Sequence, residues 1–141
     1  MQSRQKEKEL QKVKGVRDIV PDFDQWPESW MGIKKDLGYG KKLLPFMEKF
    51  IHSLMAQGLS RKILKEYVDW VWLLGGRIIK EVSIYKEYKR DPAQKLMDAV
   101  QGGGCLPEGH EGMSKGELES LARMCGQFEG FLKNIADSRQ Q

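Results

Sequence analysis

The 141-residue sequence predicts an all-α fold: a compact bundle of four to five helices behind an aromatic-rich, irregular N-terminal segment. Three observations carry that expectation. Apolar residues recur at three-and-four spacing through the middle and the end of the chain, helix-capping residues stand where those patterns begin, and no stretch alternates apolar with polar as a half-buried strand does.

Residues 1–15 are charged and polar, with Leu10 and Val13 as the only large apolar side chains after Met1. They read as a charged tail or frayed helix, because so narrow an apolar face cannot dock a helix firmly. Residues 16–141 read as one domain, of ordinary size for a single core. Residues 16–40 contain Pro21, Pro27, Gly32, Gly38 and Gly40, which break long elements, together with Phe23, Trp26, Trp30 and Tyr39. A segment so rich in aromatics is expected to wrap across the core.

The first long helix is expected over residues 41–57, where Leu43, Phe46, Met47, Phe50, Ile51, Leu54 and Met55 share a face and Pro45 falls in the opening turns. Gly58 supplies its stop and Ser60 the cap of the next helix. That second helix carries Ile63, Leu64, Tyr67, Val68, Val71 and Leu74, and its phase resumes beyond Gly75-Gly76 with Ile78, Ile79 and Val82. A continuous or gently kinked helix over residues 60–88 follows, with the glycine pair either a hinge or a point of close packing. Asp91 and Pro92 open a short helix to Val100. A Gly-rich loop occupies residues 102–113. Ser114 and Glu117 then form a capping box for a last helix, whose seam is Leu118, Leu121, Cys125, Phe128, Leu132 and Ile135. Such a seam packs within the fold or across a dimer.

The net charge is +4 and the charged fraction 31%. Residues 31–90 hold thirteen basic and six acidic side chains, while residues 15–30 and 91–141 are mildly acidic. No window is long and apolar enough for a membrane span, and the N-terminus lacks the apolar core of a secretory signal. Two cysteines do not make a disulfide framework, so a reduced, cytoplasmic setting is expected.

The chemistry-bearing residues point away from an enzyme. Cys105, His110 and Cys125 lack the paired spacing of a zinc site, so no metal is expected. His52 reads as a partly buried packing residue, and no nucleophile motif accompanies it. Gly102-Gly103-Gly104 lacks the Lys-Ser/Thr of a phosphate loop. No cofactor and no small-molecule substrate are expected.

What remains is binding. Lys41, Lys42, Arg61, Lys62 and Lys65, with Lys49 between, are expected around the corner between the two long helices, and Arg77 and Lys80 form a second basic set. Arg61 and Lys62 stand at a helix start, where the macrodipole favours acids and where a phosphate would relieve the mismatch. The expected function is DNA-backbone binding through this corner. The alternative is a protein-interaction module, such as a complex subunit, adaptor or antitoxin-like inhibitor. It would use the C-terminal seam, for a protein partner or a second copy, and Trp26, Trp30 and Trp72 as exposed anchors.

The block Leu43 to Lys80 also resembles the start of the SAM-like core-binding domain of phage integrases and tyrosine recombinases. The likeness rests on the helix stop at Gly58, the cap Leu59-Ser60 and the aromatic Tyr67, over about a quarter of the chain. Ile63 stands where that family usually has Thr, and Trp72 to Gly76 departs from its pattern. The family's catalytic domain has no counterpart here, so the resemblance implies a DNA-clasping unit without strand exchange.

Overall fold

A computed structural model of the chain describes residues 15–30, 37–84, 91–103 and 110–140. Among them every regular element is helical. α1 is Val16–Ile19, and a 3₁₀ turn at Phe23–Gln25 leads into α2, Trp26–Trp30. The first two long helices are α3, Leu37–Ala56, and α4, Arg61–Ile84. α5 is Pro92–Val100, followed by 3₁₀ turns at Gln101–Gly103 and His110–Gly112, and α6 is Lys115–Gln140. The expected tail at residues 1–14, the continuation of α4 past Ile84 and the middle of the Gly-rich loop, including Cys105, lie outside the described residues.

The caps form as their residue types dictate. Gly58 takes a left-handed φ of 72° and ends α3. Ser60 Oγ accepts from Ile63 N at 3.2 Å, and Asp91 Oδ2 accepts from Gln94 N at 3.3 Å. The capping box at the start of α6 is complete: Glu117 N donates to Ser114 Oγ at 3.1 Å and Ser114 N to Glu117 Oε1 at 2.9 Å.

Two expectations about the N-terminal half are corrected. Among the described residues, the stretch before Lys41 is built of short helical pieces: α1, the 3₁₀ turn, α2 and the first turn of α3. Pro27 is tolerated because it is the second residue of its helix, where no intrahelical donor is needed. α3 begins at Leu37 rather than Lys41, which places Pro45 in the helix interior. Its ring removes the donor for the Lys41 carbonyl, a loss eased because Pro45 lies on the solvent side.

α3 and α4 form an antiparallel hairpin sandwiched between two layers. Side chains two residues apart on a helix point about 200° apart, to opposite flanks. On α3, Glu48 meets Arg17 of the N-terminal segment, whereas Phe50 stacks on Phe128 of α6 with ring centroids 4.1 Å apart. On α4, the Trp72 carbonyl accepts from Trp30 Nε1 at 3.0 Å, whereas Trp70 Nε1 donates to Ser120 Oγ of α6 at 2.9 Å. The segment α1–α2 therefore covers one side of the hairpin and α5–α6 the other. One core runs through all layers, including Phe23, Leu43, Met47, Phe50, Val71, Ile78, Leu96 and Phe128. Each such side chain stabilises the fold by roughly 1.5–3 kcal/mol on burial.

The glycine pair is a close-packing point. α4 runs unbroken through it, and the Trp30 ring lies against Gly75, where an added Cβ would come within 2.6 Å of Cη2 and 2.7 Å of Cε2. Trp30 also sits 3.6 Å from the Cβ position of Gly40, which itself lies 3.1 Å from Pro27 Cβ. Gly75 is needed so that α2 can seat between α3 and α4, and at Gly40 a side chain would press on Pro27. Gly76 differs: its Cβ position is 3.4 Å from Trp30 Cδ1, at the edge of ordinary contact. Gly76→Ala is therefore expected to stabilise the protein by about 0.5–1 kcal/mol through helix propensity, seen as a higher urea midpoint at unchanged slope.

The C-terminal seam is spent inside the fold. Leu121, Cys125, Phe128 and Leu132 are buried, and Leu118 and Ile135 are partly covered. It therefore does not offer the dimer seam considered from the sequence.

Candidate nucleic-acid interface

The hairpin separates the expected basic residues. Lys42 lies fourteen residues before the end of α3, about 21 Å along the axis from the corner where Arg61 begins α4. The contacts of Trp30 with Gly40 and Gly75 place Lys41 and Lys42 level with Arg77 instead. The single basic corner expected from the sequence does not exist.

Arg61 and Lys65 line a groove of about 640 Å³ between the N-terminal segment and the start of α4. Asp18, Asp22 and Asp69 line it too. The first turn of α4 contains no acid of its own, but acids reach the neighbourhood from elsewhere in the fold. Asp18, Asp22 and Asp69 share the groove with Arg61, although none forms an ion pair with it within 4.0 Å among the described residues. Lys62 and Lys80 are exposed on the outer edge of α4, where Glu66 and Asp69 lie between them. Arg77 is half-buried: its Nε lies 3.4 Å from Glu81 Oε1, and Glu81 Oε2 accepts from Lys95 Nζ at 2.8 Å. Lys95 is itself buried, so this trio ties α5 to α4.

The aromatic anchors also need correction. Trp26 and Trp30 are buried, because α2 turns both indoles into the crevice of the hairpin. Trp72 remains 40% exposed, with its Nε1 donating to Ser29 Oγ at 3.0 Å, so it fastens α2 to α4 from outside.

One face is rich in basic side chains, and at its C-terminal end Lys49 and His52 share a pocket with Asp18 and Glu48. Lys41, Lys42, Pro45, Lys49 and His52 are exposed on α3 at the spacing of a single helical stripe, opposite the buried Leu43, Met47, Phe50 and Leu54. From Lys41 to His52 the stripe is about 16 Å long, the length of roughly five base pairs. His52 is exposed rather than partly buried as expected. The only acid in α3 is Glu48, which pairs with Arg17 and lines one pocket with Lys49 and His52. Arg17 donates to Glu48 at 3.1 and 3.2 Å and to both oxygens of Asp24 at 2.8 and 2.9 Å, with its guanidinium over the Phe23 ring. The bonds from Arg17 hold the Asp24 carboxyl below the usual carboxylate range.

The chain matches no family model, no curated protein and no solved structure. The functional reading therefore rests on the residues themselves. Among the described residues, no group of His, Cys, Asp and Glu is arranged to hold a metal ion, and no helix is long and apolar enough to cross a membrane. His110 opens a 3₁₀ turn, and Cys125 is buried on α6.

Tyr39 lies behind the basic face. Its burial, and next the charges of Asp91 and Asp98, push its phenol up from 10.0 to about 12. The folded state thus keeps the proton where the unfolded chain loses it, a contribution present below pH 10 and lost as pH rises from 10 towards 12. In an ultraviolet phenolate titration Tyr39 is expected to ionise after an ordinary tyrosine, and Tyr39→Phe to remove that late step.

Proposed function

We propose that the protein is a small helical module that binds the phosphate backbone of DNA through the outward face of α3. The observation that carries this reading is the stripe Lys41, Lys42, Lys49 and His52, on a helix whose one acid, Glu48, pairs with Arg17. Exposed lysines attract a polyanion through counterion release and position it without reading its sequence. The mixed-charge groove at Arg61 and Lys65 is a poorer phosphate site, because three carboxylates share it. The resemblance of residues 43–80 to a DNA-clasping domain supports the same function, since that block spans the α3–α4 hairpin.

Fluorescence anisotropy with a labelled duplex tests the proposal. Three lysine contacts predict that log affinity falls with log salt at a slope of about −3, with little dependence on base sequence. The triple reversal K41E/K42E/K49E is expected to lower affinity at ~50 mM salt by at least about a hundredfold, while R61E/K65E leaves it within about threefold. Absence of binding at that salt, or a triple variant that binds like the parent, overturns the reading.

A further inference from the structure

We propose that the groove between Asp18–Asp22 and the start of α4 is a self-association surface that takes a second copy of this chain. Its rims differ in charge: the α4 side carries Arg61 and Lys65 with one acid, Asp69, further along, and the N-terminal segment carries only the acids Asp18 and Asp22. None of these five makes an ion pair within 4.0 Å among the described residues, so each retains its charge for an outside partner. The floor is apolar, formed in part by Leu64 and Val68. Ile19 lines the same groove and is 41% exposed, unusual for a large apolar side chain in this fold.

A two-fold contact repeats each interaction, because residue i of one copy meets residue j of the other and the reverse. Facing two grooves in this way sets the basic rim of each copy against the acidic rim of its mate and lets each Ile19 cover the other's apolar floor. A partner with one sign of charge would satisfy one rim and repel the other, whereas the chain itself carries both signs in the required pairing. One groove per copy with few apolar side chains is expected to give a weak, concentration-dependent dimer. The lysines of α3 do not line this groove, although Asp18 also borders the pocket of Lys49 and His52, and the contact does not depend on DNA binding.

Sedimentation velocity from about 10 µM to about 1 mM tests this. The parent chain is expected to pass from monomer to dimer across that range. R61E/K65E and D18K/D22K are each expected to lower the association constant at least about tenfold, because each sets like charges face to face. An equimolar mixture of the two variants is expected to recover a dimer, since one of its two charge contacts is restored with inverted sign. Circular dichroism checks that both variants remain helical, and the mixture provides a gain-of-association readout that misfolding cannot imitate. A parent that stays monomeric, a dimer indifferent to both reversals, or a mixture that fails to associate overturns the proposal.

Discussion

Trp30→Ala is expected to destabilise the protein by about 3–5 kcal/mol, among the largest effects of any single substitution in this fold. Trp30 fills the crevice between α3 and α4, its Nε1 donates to the Trp72 carbonyl at 3.0 Å, and Trp26 packs beside it with centroids 5.8 Å apart. Its removal loses apolar burial and leaves a cavity that Gly40 and Gly75 cannot fill. The partner residue gives a sharper test. Gly75→Ala alone is expected to destabilise, because overpacking costs about 1–3 kcal/mol and outweighs a helix-propensity gain of about 1 kcal/mol. In the Trp30→Ala background the clash is gone, and the same Gly75→Ala change is expected to stabilise. Urea denaturation of the four proteins measures this reversal of sign as a coupling energy. Additive effects would mean that the indole is not what forbids a side chain at Gly75.

Phe128→Ala is expected to destabilise by about 3–5 kcal/mol for a different reason. Phe128 is fully buried and stacked on Phe50 with the ring planes within 10°, and Phe131 closes the cluster 5.7 Å from Phe50. This cluster is a principal bond between α6 and the hairpin. Phe131→Ala should cost less, because Phe131 is only partly buried. Hydrogen exchange provides the local readout: in Phe128→Ala the amides of α6 should lose protection before those of α3 and α4. Uniform loss across all three helices would make the fold a single cooperative unit at that position.

The helices themselves were legible in the sequence, and for a local reason. Ser60, Asp91 and Ser114 cap their own helices, Gly58 ends α3, and the core face of α6 repeats at regular steps, so neighbouring residues carry the information. Short helices hidden among Pro and Gly were not legible. Pro27 and Gly40 look like breakers until it is known that one occupies a helix start and the other a close contact. The purpose of Gly75 was equally hidden, because its partner Trp30 lies 45 residues away.

The candidate site shows the same division. Counting charge along the chain found the basic middle but not its faces, and grouped Lys41 with Arg61 across the length of a helix. It also could not place Asp18 and Asp22 beside Arg61, since they approach through the fold rather than along α4. A signal for the α3 face was present: Lys41, Lys42, Lys49 and His52 are the complement of the apolar stripe.

The most direct test is an amide chemical-shift map of the protein titrated with a short duplex at low salt. Perturbations are expected to concentrate at Lys41, Lys42, Lys49 and His52 and to be small at Arg61 and Lys65, all reversed by added salt. Perturbations centred on Arg61 and Lys65 with α3 silent, or none at all, would contradict binding through α3.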